Sequence, residues 1–135
     1  VQYKPAQKGP GTKGYFEGKY ITRLRMNTDF SELQQRITAF RDARDWAQFH
    51  TPRHLASAIS IEAAELLEAF LWKKDDEVNP EKLKEEIADI MIYCTLLCDR
   101  LGIDPLEIMR KKLDKNEQKY PVEKAKGNAR KWTEL

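Results

Sequence analysis

Only two histidines and two cysteines occur in this chain, and the cysteines have no metal-site or redox spacing. His50 and His54 lie at a loop-to-helix junction, outside either acidic pair. The Glu-x-x-His pairs of a di-iron bundle are therefore missing, and a zinc site has no Cys/His set to draw on. Cys94 and Cys98 lie four apart on one helix face rather than in a C-x-x-C. They read as a buried, reduced thiol pair, which points to a cytoplasmic setting. No apolar run approaches the ~20 residues of a membrane span, and no signal-peptide pattern opens the chain. Strand-like alternation of useful length is absent as well. What remains is a single all-α domain of modest size.

Four helices announce themselves by their start signals. Asp29-Phe-Ser-Glu32 is a capping-box pattern, followed by Phe30, Leu33, Ile37 and Phe40 at three-and-four spacing. Thr51-Pro52 combines an N-cap with a first-turn proline and opens a helix to about Trp72. The polar stretch from Lys73 to Asn79 makes a loop, and Asn79-Pro80 repeats the cap-plus-proline signal. The third helix carries Leu83, Ile87, Ile90, Cys94, Leu97 and Leu101, with Gly102 as a natural stop. Asp104-Pro-Leu-Glu107 opens a fourth, which ends before Tyr120-Pro121. The expected architecture is a four-helix antiparallel bundle. Helices two and three are apolar on more than one side and must bury more than one face. The second face is expected to be a subunit interface, giving a homodimer or homotetramer.

Charge is distributed unevenly. Residues 1–25 hold six Lys/Arg against one acid, a net +5, so a total of +2 leaves −3 for the rest. A mildly acidic body argues against nucleic-acid binding. The Gly/Pro/Lys-rich stretch over residues 1–28 is read as a flexible leader, either a native tail or an added segment ahead of a start at Met26, with the domain proper at 29–135.

Two acidic pairs stand out within the helices: Glu62-Ala-Ala-Glu65 and Glu86-Ile-Ala-Asp89. Residues three apart share a helix face, where like charges repel. The positions four after Glu62, Glu65 and Glu86 are Leu66, Ala69 and Ile90, so none of the three has a cation one turn further along. Solvated helix surface is the bland reading. Two pairs on helices that must pack together instead make a carboxylate cluster, which is costly unless neutralised. An all-oxygen donor set suits Mg²⁺ or Mn²⁺, and a metal so held commonly meets phosphate. Lys112, Lys115 and Lys119 on the basic fourth helix are candidate phosphate partners, or compensation for the helix dipole. Trp46 and Trp72 flank polar sequence where an indole can stack on a base, while Tyr93 is as well read as a core aromatic.

The ordered set Glu62-x-x-Glu65, then Glu86-x-x-Asp89, resembles the signature of the MazG-like all-α nucleoside triphosphate pyrophosphohydrolases. The dCTP pyrophosphatase branch is the nearest match, through Arg44-Asp-Trp-Ala-Gln-Phe-His50, Pro52-Arg53, Lys112-Leu-Asp-Lys-Asn116, Tyr120-Pro121 and Arg130-Lys-Trp-Thr-Glu-Leu135. The likeness covers about residues 29–135. It implies hydrolysis between the α- and β-phosphates of a nucleoside triphosphate, most simply dCTP or a modified dCTP, in nucleotide-pool sanitation. It further implies that Glu62, Glu65, Glu86 and Asp89 hold Mg²⁺ and position the attacking water, one of them serving as an unassigned general base. Lys112 and Asn116, with Tyr120 more weakly, match positions that contact the nucleotide. Trp46, Trp72 and Tyr93 match positions lining the base and sugar pocket.

One position departs from that branch. A histidine nine residues before the tryptophan of the Arg-Asp-Trp segment is replaced here by Ile37. Loss of its ring nitrogens removes a polar contact to the base and favours a bulkier or modified pyrimidine, unless Ile37 simply extends the core stripe of the first helix. The rival readings are the same chemistry on dUTP or dTTP, and a non-catalytic nucleotide-sensing helical module.

Overall fold

Caps set the boundaries of the helices. In the computed structural model, which describes residues 30–135, α1 covers residues 30–42. It is followed by α2 (Pro52–Glu68), α3 (Pro80–Leu101), α4 (Pro105–Lys119) and the short α5 (Val122–Ala125). Three 3₁₀ turns lie between or after them, at Trp46–Gln48, Asp75–Glu77 and Trp132–Glu134. No strand occurs among the described residues. The leader at 1–28 and Asp29 of the first capping box lie outside them.

Each of the three long helices after α1 begins with proline behind a polar cap. The Thr51 hydroxyl accepts from the His54 N–H at 3.2 Å, and the Asn79 side chain accepts from Glu81 at 3.0 Å. Asp104 accepts from both Leu106 and Glu107, at 2.8 and 3.3 Å. These side chains satisfy amide donors that the first turn leaves open. At the far end of α3, Gly102 adopts φ 66°, its N–H reaching Asp99 and that of Ile103 reaching Cys98. That is a Schellman closure, for which glycine is the natural residue.

The chain divides into two units, Val1–Arg44 and Asp45–Leu135. Within the first, the Arg44 guanidinium lies 3.6 Å from the centre of the Phe40 ring and also donates to the Phe40 carbonyl. Within the second, α2 and α3 form the extensively packed helix pair, whereas α4 touches the other elements sparsely. The partly or fully buried positions of α2 include Leu55, Ile59, Glu62 and Leu66, with Ala69 at its C-cap; those of α3 include Leu83, Glu86, Ile90, Tyr93 and Leu97. Both series follow the three-and-four spacing of one helix face. Leu55, Ala69, Val78 and Leu96 form the buried apolar core among the described residues, and Leu55 alone of them is fully buried.

A single packed face leaves much apolar surface in water. Ile61 and Leu67 on α2, Ile87, Met91 and Ile92 on α3, and Ile108, Met109 and Leu113 on α4 are all exposed. The same geometry corrects the expectation of a buried thiol pair: Cys94 is exposed and Cys98 only half-buried, both free. Helix α3 is apolar on more than one side, and only one side meets α2. Helix α2 also stops earlier than expected, at Glu68, and the chain then tightens through i→i−3 hydrogen bonds at Phe70, Leu71 and Lys73.

Candidate metal and nucleotide site

The acidic pairs meet where α2 and α3 pack. Glu62 lies six residues before Glu68 at the end of α2, and Glu86 six after Pro80 at the start of α3, as expected of antiparallel partners joined by one loop. Both interrupt the otherwise apolar stripes just described. Carboxylate oxygens of Glu62, Glu65 and Glu86 come within 4.8 Å of one another. Asp89 does not join that triad, its side chain being one methylene shorter and a further turn along α3. It is still close enough to act on Glu62.

Burial first, then the charges of Glu65, Asp89 and Glu86, raise the Glu62 carboxyl above its ordinary value. All four predicted acids are thus electrostatically linked. Three hard oxygen donors converging from two rigid helices fit a divalent ion of the Mg²⁺ or Mn²⁺ class and offer nothing to a soft metal.

This strain has a measurable pH signature. A carboxyl with a raised folded-state pKa binds its proton more tightly folded than unfolded. Its stabilising contribution is full below the unfolded value and is lost as pH rises through the folded one. Acidification of metal-free protein from about pH 8 to about pH 5 should therefore gain stability at this group, and Glu62→Gln should abolish that gain. Divalent metal competes with the proton, so its effect on Tm should be larger at the higher pH. Thermal melts with EDTA and with Mg²⁺ check this; identical pH profiles for wild type and Glu62→Gln would contradict it.

The aromatic candidates are placed differently from one another. Tyr93 sits half-buried on the α3 stripe that faces α2. Trp46, 44% exposed, opens the 3₁₀ turn ahead of α2. Trp72 is 94% exposed and holds a left-handed backbone at φ 61°. That conformation is rare for a bulky side chain.

Lys112 and Asn116 share one face of α4, Asn116 half-buried and Lys112 exposed, and Tyr120 caps that helix. Lys111 is engaged by Glu107 on its own helix, whereas no hydrogen bond or ion pair holds Lys112 or Lys115 among the described residues. The sparse contact of α4 with α2 and α3 means that the α2–α3 pairing does not by itself bring these groups to the acids. Sequence reasoning also missed a contact of Lys119, whose ammonium lies over the Trp132 ring at 4.9 Å. Thirteen residues separate the two, and no helical periodicity connects them.

A profile of the MazG-like family matches residues 57–135, a stretch that holds all four acids and the whole of α3 and α4. The chain belongs to the MazG-like family. Among curated proteins, dCTP pyrophosphatase 1 of Mus musculus is 40% identical over 135 residues, spanning 93% of this chain and 79% of that protein. The Homo sapiens dCTP pyrophosphatase 1 is 41% identical over 113 residues, 77% of this chain and 66% of that one. A crystal structure of a pyrophosphatase from Archaeoglobus fulgidus aligns with a TM-score of 0.65 at 45% identity, covering 69% of this chain and 93% of its own.

Proposed function

We propose that this protein is a divalent-metal-dependent nucleoside triphosphate pyrophosphohydrolase acting on dCTP or a modified dCTP. The observation that carries the reading is the convergence of Glu62, Glu65 and Glu86 on one point, inside a seam that would otherwise be apolar. The similarity to proteins named dCTP pyrophosphatase supports the choice of nucleotide. Glu62, Glu65 and Glu86, with Asp89 alongside, would hold Mg²⁺ or Mn²⁺. When bound, such an ion supplies charge neutralisation for the triphosphate and acidifies water. The residues do the rest. A carboxylate of the cluster orients a water in line with the α-phosphorus and accepts its proton. The α–β phosphoanhydride bond breaks as the new P–O bond forms, and pyrophosphate leaves with the bridging oxygen. Lys112 and Asn116, with Tyr120, bind the phosphates and sugar; Trp46, Trp72 and Tyr93 receive the base. Ile37, standing where the dCTP pyrophosphatase branch has a histidine, supports extending the reading to a bulkier or modified pyrimidine.

The many large apolar side chains left exposed on α2, α3 and α4 support assembly as a homodimer or homotetramer, which would bury them. A four-helix arrangement that includes α1 and α4 belongs to the same proposal. Removal of triphosphates before they are incorporated, in the cytoplasm, is the role such chemistry serves, with neither nucleic acid nor membrane as partner.

The deciding experiment is pyrophosphate release with Mg²⁺ across the canonical and 5-modified deoxynucleoside triphosphates, on a preparation whose mass is set by light scattering. Preferential cleavage of dCTP or its 5-modified forms, by an oligomer, is expected. Cleavage of dUTP or dTTP in preference moves the base assignment. Absence of release from every nucleotide refutes catalysis and leaves a sensing module, and a monomer at micromolar concentration removes the assembly.

A further inference from the structure

The chain beyond α4 turns back on itself. Tyr120 ends α4 and Pro121 precedes α5. Gly127 then takes φ 78°, which reverses the chain without side-chain conflict. Asn128 closes the reversal from both sides, its Nδ2 donating to the Lys124 carbonyl at 2.8 Å and its Oδ1 accepting from the Arg130 N–H at 3.1 Å. The return carries the Trp132–Glu134 turn to α4, where the Trp132 ring meets the Lys119 ammonium. Trp132 remains 49% exposed, so one side of the indole faces the cation while much of the ring stays in water.

Lys119 is not an arbitrary lysine. It follows Lys112 and Asn116 at seven and three residues, on the same face of α4. The cation–π contact thus lies at the end of the row assigned above to the nucleotide's phosphates. An exposed lysine has several rotatable bonds and loses considerable entropy when a ligand orders it. A ring that already restrains the ammonium reduces that loss, and pre-organisation of this kind appears as affinity.

We propose that Trp132 is a positioning residue, which holds Lys119 ready for the outer phosphates of the substrate. The inference rests on the proposed function for the identity of the ligand but not for its test. Attraction to a ring face in water is modest. Loss of it should accordingly weaken polyphosphate binding about two- to fivefold.

The probe is inorganic tripolyphosphate with Mg²⁺, titrated calorimetrically into the full chain, alongside KM and kcat for the best nucleotide. Trp132→Ala and Lys119→Gln should each raise Kd and KM with kcat little changed. The double variant should be no worse than either single one, and Trp132→Tyr, which keeps a π face, should restore affinity. Additive losses, unchanged affinity in both single variants, or no binding of tripolyphosphate by wild type overturn the proposal. A fall in Tm for Trp132→Ala with Kd and KM unchanged overturns it too, leaving the contact a staple of the C-terminal segment. Should Trp132→Ala fail to fold, Lys119→Gln, a change on an exposed side chain, still reads the lysine's part and Trp132→Tyr the ring's. Protein that binds tripolyphosphate with this pattern yet cleaves no nucleotide supports the positioning role while refuting the catalytic reading.

Discussion

Glu65→Ala is expected to lower pyrophosphate release by about a hundredfold or more, because an ion held at the phosphates accounts for several kcal/mol of transition-state stabilisation. Folding should survive. Glu65 is the exposed member of the acidic triad and contributes nothing to the apolar seam. Its charge is also one of the causes that lift the Glu62 carboxyl, so its removal should stabilise the metal-free protein slightly. The scale is that of a like-charge pair one helical turn apart, about 0.2–0.5 kcal/mol. Wild type should gain Tm on addition of Mg²⁺, and the variant should gain much less. Turnover and the metal-induced gain in Tm thus fall while the metal-free Tm rises, a combination that surface glutamate would not produce. Retained turnover with an unchanged response to Mg²⁺ would falsify the assignment of Glu65 to the metal site.

The second large effect is expected at Trp72. Its φ of 61° places a bulky side chain in the left-handed region, beyond the end of α2, where glycine would sit without penalty. The indole is 94% exposed and recovers little of that cost by packing. Trp72→Gly should therefore be more stable than Trp72→Ala by about 1 kcal/mol, since both lose the ring and only glycine relieves the backbone. Base stacking on an aromatic ring amounts to about 1–3 kcal/mol. Both variants should accordingly lose roughly tenfold or more in kcat/KM, by similar factors. Denaturation midpoints and steady-state kinetics on the pair separate the two consequences. Equal stability of the two variants would remove the strain argument, and undiminished kcat/KM would remove the stacking role.

Much of the fold was legible because helix boundaries are written in local chemistry. Thr51-Pro52, Asn79-Pro80 and Asp104-Pro105 act within a turn of themselves, and each helix starts where its cap stands. Gly102 ends α3 for an equally local reason. The end of α2 was less legible: apolar periodicity continues through Phe70 and Leu71, but the backbone has already tightened. The cysteines were misread for a related reason, since a residue on an apolar stripe is buried only if that stripe has a partner. Cys94 belongs to a stripe of α3 that α2 does not cover.

The acidic motif was visible in spacing and in the absence of cations one turn further along, and the similarity to MazG-like proteins extends over the whole of it. Its rank order was not visible. Only packing distinguishes Glu62, Glu65 and Glu86, which converge, from Asp89, which acts on Glu62 from outside the triad. The strained backbone at Trp72 and the seat of Trp132 on Lys119 lay equally beyond periodicity.

The sequence by itself determined an all-helical chain, the starts of its helices, and two carboxylate pairs that repel unless a cation joins them. These follow from interactions within a few residues, which any conformer of the segment carries. The tertiary structure decided which carboxylates meet, which apolar faces stay in water, and which tryptophan is strained and which is seated on a lysine. Those outcomes depend on residues far apart in the chain being brought within a few ångströms, a distance that only the packing of α2 on α3 and the return of the chain beyond α4 can set.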